Sequence, residues 1–143
     1  MSNYIPNGYA AVVPYLVIDD APKEIEFMTA ILGGKLEGRL DGPNGSVMNA
    51  RVNIGGSPVM ISSTMPGHDA QRGMLYVYVP DCDATFAKAV ATEGVTVVMG
   101  VMDQFWGDRS GAVKSANGIV YWIATGKESL THEQIAERLG MKK

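Results

Sequence analysis

Few side chains in this 143-residue chain could do chemistry, and their spacing limits what each could do. Asp108 and Arg109 stand together in Phe105-Trp106-Gly107-Asp108-Arg109. A carboxylate beside a guanidinium could serve acid–base work. Gly-Asp-Arg also reads as a surface turn held by its own side-chain hydrogen bonds, and that simpler reading is preferred. Cys82 falls at the start of a helical pattern, where the helix dipole favours a thiolate, but Asp81 and Asp83 flank it and oppose that charge. His68 lies in a linker and His132 in the first turn of a terminal helix, and both read as solvated. Asn49, Arg51 and Asn53 alternate with Met48, Ala50 and Val52, so they share one face of a strand. Arg51 could anchor an anionic group there, or that face could simply meet water.

These residues need elements to position them, and the chain supplies the elements twice. A shift of 61 positions lays Tyr15 on Tyr76, Asp20 on Asp81, Ile25 on Phe86, Ala30 on Ala91 and Gly33 on Gly94. Each copy begins with an apolar strand, then an Asp able to accept from the free N–H groups of a helix's first turn. About a dozen residues at helical spacing follow (Ile25, Met28, Leu32; Phe86, Ala89, Val90) and stop at Gly. Pro22 fits the first helical turn. Three strands follow in each half: 35–40, 46–54 and 58–63 in the first, 96–101, 111–115 and 119–125 in the second. Asp41-Gly42-Pro43-Asn44-Gly45, Gly55-Gly56 and Asn117-Gly118 are turn chemistry between them. The expected fold is α+β: one domain of two βαβββ modules (about 9–64 and 74–126), joined by a linker at 65–73. A capped helix at about 132–139 completes it, its Thr131-His132-Glu133-Gln134 having capping-box spacing. Pairing two such curved sheets leaves a central cleft, the default place for a ligand.

Composition narrows the partners. Hydrophobic residues make up 46% and charged residues 19%, an ordinary globular balance. A net charge of -3 offers no basic field for nucleic acid or anionic lipid. The single cysteine suits a reducing compartment, and the apolar run 9–18 has neither the length nor the flanks of a membrane or signal segment. A soluble cytoplasmic protein is expected.

The stretches VPYLVIDDAPKEIEFMTAILGGK, LYVYVPDCDATFAKAVATEG and DQFWGDRSGAVKSANG, in that order, resemble the glyoxalase/bleomycin-resistance family of the vicinal oxygen chelate superfamily, most closely its PhnB-like branch. The resemblance runs from Val12 to Arg138, and QFWGDR is its most specific part. It implies paired βαβββ modules, a homodimer, and a cavity. In the family's enzymes that cavity holds a divalent metal on His, Gln or Glu from the first and last strands of each module, whereas its binding members hold no metal and sequester a small molecule. Carried over, the ligand positions fall on Val13, Met74, Trp122 and Met60 (Ile61 if the register slips by one). None offers a nitrogen or oxygen lone pair suited to a hard or borderline metal. Ser115-Ala116-Asn117-Gly118 replaces the Asp-Pro-Phe-Gly type of turn usual in the branch, and Asn49 stands where a His is common.

The expectation is therefore a pocket without metal or other cofactor. Val13, Tyr15, Met60, Met74, Tyr76 and Trp122 would wall it, Asn49 and Arg51 would lie nearby, and Phe105 and Trp106 would act as a lid. A small apolar or aromatic molecule is the expected partner. Two alternatives stay open at this point: a vicinal oxygen chelate enzyme, working with a divalent metal or a metal-free acid/base, and a dimeric interaction module whose cleft is packed shut.

Overall fold

The computed structural model describes residues 4–140. Its elements are β1 (Tyr15–Ile18), α1 (Ala21–Ala30), β2 (Lys35–Asp41), β3 (Val47–Ile54), β4 (Ser57–Ser63), β5 (Met74–Tyr78), α2 (Cys82–Val90), β6 (Thr96–Asp103), β7 (Asp108–Lys114), β8 (Val120–Gly126) and α3 (His132–Arg138). They form two four-stranded mixed sheets, ordered β1-β4-β3-β2 and β5-β8-β7-β6, so the βαβββ repeat is present twice in an α+β fold. The contacts divide into two compact units. The first runs to Gly73 and includes Ser115–Ile119; the second holds Met74–Lys114 and the chain from Val120.

In the first unit, the Asp20 side chain accepts from the Lys23 N–H at 3.2 Å, and Pro22 lies in the first turn of α1. The helix is closed by Gly33 at φ +74, after which the Gly34 N–H returns to the Met28 carbonyl at 2.8 Å. Only glycine fits at Gly34, since a Cβ would stand 2.9 Å from both that oxygen and Val52. α1 buries Ile25 and Met28 against Leu16, Val52, Val59 and Ile61. Each such side chain contributes about 1.5–3 kcal/mol relative to exposure.

One expectation fails at the start of β3. The alternation puts Met48 on one face with Ala50 and Val52, but those two are buried while Met48 is exposed and Val47 is buried instead. The cause is a bulge: Leu40 pairs with Asn49 and Asp41 with Val47, leaving Met48 extra and reversing the alternation before it.

In the second unit, Asp81 caps α2 by accepting from the Ala84 N–H at 3.2 Å, and α2 packs on β6, β7 and β8. Gly111 allows that approach, because a Cβ there would lie 2.9 Å from the Phe86 ring. β7 begins at Asp108, three residues before the position expected from sequence, and β6 runs on to Asp103. Arg109 pairs with both Asp103 and Thr125, and Asp108 with Gly126, so Asp108-Arg109 is ladder and not a turn. The turn lies just before it, where the Gln104 N–H donates to the Asp108 carbonyl at 2.7 Å and Gly107 has φ +102. α3 has the expected capping box, with Thr131 and Gln134 satisfying each other's backbone N–H.

Candidate functional site

Tyr15, Met60 and Arg51 form one cross-strand row over β1, β4 and β3, on the face away from α1. Val13 is half-buried just ahead of β1, and Asn49 is half-buried opposite Leu40. The Tyr15 hydroxyl lies 3.0 Å from Ser62 Oγ, and its ring centroid is 6.2 Å from that of His68. Arg51 is engaged: Nε donates to Glu37 at 3.2 Å, Nη1 to the Asn7 carbonyl at 3.4 Å, and its guanidinium carbon sits 4.6 Å above the Tyr9 ring. With those partners it is a tie for the segment before β1 and a poorer anchor for an anion.

The second unit carries a denser constellation. Gly111 faces α2, so by the two-residue period Asp108, Ser110 and Ala112 of β7 face the other way. Met74, Tyr76 and Tyr78 of β5 share that face, as do Trp122 and Ala124 of β8. The small residues Ser110, Ala112 and Ala124 form its floor, with the large rings beside them. Tyr76 stacks on Trp122 at 6.0 Å with 15° between planes, and Trp106 meets Trp122 edge-on at 6.3 Å. Tyr78 tilts against Tyr76 at 5.4 Å, and Phe105 stands edge-on to Trp106 at 4.9 Å. Five aromatic rings are thereby gathered on one side of one sheet, and Tyr76, Tyr78 and Phe105 are 41%, 62% and 45% exposed.

Asp108 organises them. It is 5% exposed, and its Oδ2 accepts from the Tyr76 hydroxyl at 2.7 Å, the Tyr78 hydroxyl at 2.8 Å and the Trp106 indole N–H at 3.1 Å. The same indole N–H also reaches the Tyr76 oxygen at 2.9 Å. Burying a carboxylate is costly unless such donors compensate, and three do. Gly107 makes the placement possible: its carbonyl accepts from the Lys127 and Glu128 N–H groups, and a Cβ would meet the Glu128 oxygen at 3.0 Å. Trp106, expected as a lid, is tied into the wall by these bonds.

The expectation that Asp108 is a surface turn residue is therefore corrected. Two of its three donors lie some thirty residues earlier in the chain, where Tyr76 and Tyr78 sit two apart and so share a strand face. That spacing, set beside the two-residue step from Trp106 to Asp108, was the available signal. Arg109 points to the α2 side, pairing with Asp83 at 2.9 Å and Asp103 at 3.1 Å, and it holds the Asp83 carboxyl below the usual range.

The electrostatics follow from Asp108. Burial and the bond to Asp108 raise the Tyr76 pKa, and the Asp108 bond, with burial second, pushes Tyr78 up to about 12. Both phenols are thus held protonated, the wrong state for a general base at neutral pH. The Cys82 thiol is buried and its N–H is bonded to Thr125 Oγ1, so it is not presented to a substrate. None of the side chains of Val13, Met60, Met74 and Trp122 suits a divalent metal, because an alkyl group, two thioethers and an indole N–H provide no hard or borderline lone pair. Among the described residues, no three His, Cys, Asp or Glu side chains gather as a metal site.

Two four-stranded mixed sheets, ordered β1-β4-β3-β2 and β5-β8-β7-β6 and each packed against one helix, define the class. The chain belongs to the Glyoxalase/Bleomycin resistance protein/Dioxygenase superfamily, whose family model matches residues 9–123. An uncharacterized protein of Mycobacterium bovis is 34% identical over 123 residues, spanning 78% of this chain and 80% of its own. Solved structures share the fold. The PhnB protein of Bacillus cereus has a TM-score of 0.61 at 12% identity, covering 82% of this chain and 100% of that one. TnmS3, an antibiotic-binding protein from Streptomyces sp. CB03234, has a TM-score of 0.60 at 20% identity, covering 82% and 99%.

Proposed function

We propose that this protein is a metal-independent binder of a small apolar or aromatic molecule, held against the aromatic face of the second unit. The observation that carries the reading is the exposure of rings on a sheet face whose floor is small: Tyr76, Tyr78, Trp106 and Trp122 stand around Asp108, with Ala112 and Ala124 beneath. Large exposed apolar groups held by hydrogen bonds in fixed positions are ready for a flat ligand, which then loses little entropy on binding. That TnmS3 is an antibiotic-binding protein supports the class of ligand. The protonated phenols and the engaged Arg51 weigh against an enzyme working by metal-free acid–base chemistry. The reading includes a cytoplasmic homodimer. In its favour are the buried free cysteine, the lack of any helix among the described residues long and apolar enough to cross a membrane, and the exposed Val97, Val98, Met99 and Met102 on the edge strand β6.

The test is the melting temperature in EDTA, then with zinc, nickel, manganese or cobalt in excess, and then with two-ring aromatic compounds. A ligand of the native state must raise it according to concentration over Kd. No metal is expected to shift it, and naphthylmethanol is expected to raise it. An EDTA-reversible rise with one metal would overturn the metal-independent reading and bring the enzyme forward.

A further inference from the structure

The three donors on Asp108 converge on one oxygen. Tyr76, Tyr78 and Trp106 all reach Oδ2, and among the described residues no hydrogen bond reaches Oδ1. Oδ1 lies beside Gly126, where even a Cβ would stand 3.7 Å away. Asp108 borders two open hollows of about 370 and 390 Å³, the second also lined by Tyr78 and Gly126. The only buried side-chain polar atom without a partner among the described residues is Ser110 Oγ, two residues along the same face, so Oδ1 is not sealed from those hollows. A carboxylate that uses one oxygen to order its surroundings keeps the other oxygen, and its full charge, for something else.

The surroundings say what. The faces of Tyr and Trp rings carry negative potential and attract cations, more strongly where water is thinned. Tyr76, Tyr78, Trp106 and Trp122 are all within this group, beside a fixed anion. The carboxylate and the ring faces favour the same sign of charge. The positive groups nearby are differently placed. Arg138 is taken by both oxygens of Glu128 at 2.8 and 3.1 Å, and Arg109 by Asp83 and Asp103. Lys127, on the rim of both hollows, is exposed and therefore hydrated and screened.

From this we infer that the ligand of the aromatic face is a cation, an aromatic molecule bearing an ammonium or amidinium group that pairs with Asp108 Oδ1 while its ring packs on Tyr78, the aromatic residue that lines the same hollow. The inference rests on the reading that this face binds an aromatic molecule, and the experiment separates the two. Three compounds with one ring system are titrated by calorimetry at neutral pH: naphthylmethylammonium, naphthylmethanol and naphthoate, being cation, neutral and anion. The cation is expected to bind about tenfold tighter than the alcohol and the anion more weakly than either. Asp108→Asn is expected to bring cation and alcohol to about equal affinity, because the amide keeps an acceptor for the three donors but loses the charge. If the alcohol binds and the cation binds no better, or the carboxylate binds best, the inference fails while the aromatic reading stands. If none of the three binds, both fail. A cation preference that persists undiminished in folded Asp108→Asn would also overturn the assignment to Asp108.

Discussion

Replacing Glu24 by alanine is expected to lower the melting temperature by roughly 6–12 °C. Glu24 sits on α1 at 1% exposure. Its Oε1 accepts from the Ser115 hydroxyl at 2.9 Å and from the Asn117 amide at 3.0 Å, and Ser115 in turn takes the Ile119 N–H. Asn117 also forms a reciprocal pair with the Asp20 backbone, giving to its carbonyl at 2.8 Å and accepting from its N–H at 3.0 Å. The turn between β7 and β8 is therefore held on the start of α1 by a charge-assisted network. Truncating Glu24 removes the acceptor of the buried Ser115 hydroxyl and of one N–H of the half-buried Asn117 amide, each loss costing about 1–3 kcal/mol. A net loss of about 3 kcal/mol corresponds to about 2–4 °C per kcal/mol in a domain of this size. Glu24→Gln keeps the volume and an acceptor oxygen and is expected to lose less than half as much. Calorimetric melts of the three proteins decide it; an unchanged melting point in the alanine variant would show that the network contributes no net stability.

Trp122→Ala is expected to weaken binding of naphthylmethanol by about five- to 150-fold, from about 1–3 kcal/mol for a lost stacking partner. Trp122 is half-buried, parallel to Tyr76 and edge-on to Trp106, so its removal takes away the ring that holds both neighbours upright. The substitution creates a gap on an open face and not in the core, so the variant should remain folded with a modest fall in melting temperature. Calorimetric titration of folded Trp122→Ala checks this. Binding equal to that of the original protein would remove Trp122 from the site.

The repeat was legible because its signals are local. Asp20 and Asp81 cap helices, Gly33 and Gly94 follow them in the left-handed conformation, and strands of alternating residues come after. What escaped depends on partners far along the chain. Asp108 looks like a turn carboxylate until Tyr76, Tyr78 and Trp106 are brought to it. Asn117 reads as turn chemistry, and only the tertiary structure gives its amide to Asp20 and Glu24. Glu24 itself could have been suspected, since it precedes Met28 by one helical turn and so shares the buried stripe of α1. The Met48 error came from a bulge, which adds one residue to a strand without leaving a mark in its composition. The expected wall residues Tyr76 and Trp122 and the expected lid residue Trp106 come together in the second unit, with Tyr78 joining them unforeseen.

The most direct test of the account uses the fact that the chain has only two tryptophans, both on this face. Their two indole N–H signals are followed by nitrogen–proton correlation NMR while naphthylmethanol is added to the uniformly labelled protein in EDTA. Both signals are predicted to move along one saturable curve, while most backbone signals of the first unit stay in place. If neither indole moves when the compound is saturating, or if the shifts concentrate elsewhere, the aromatic face around Asp108 is not the binding site.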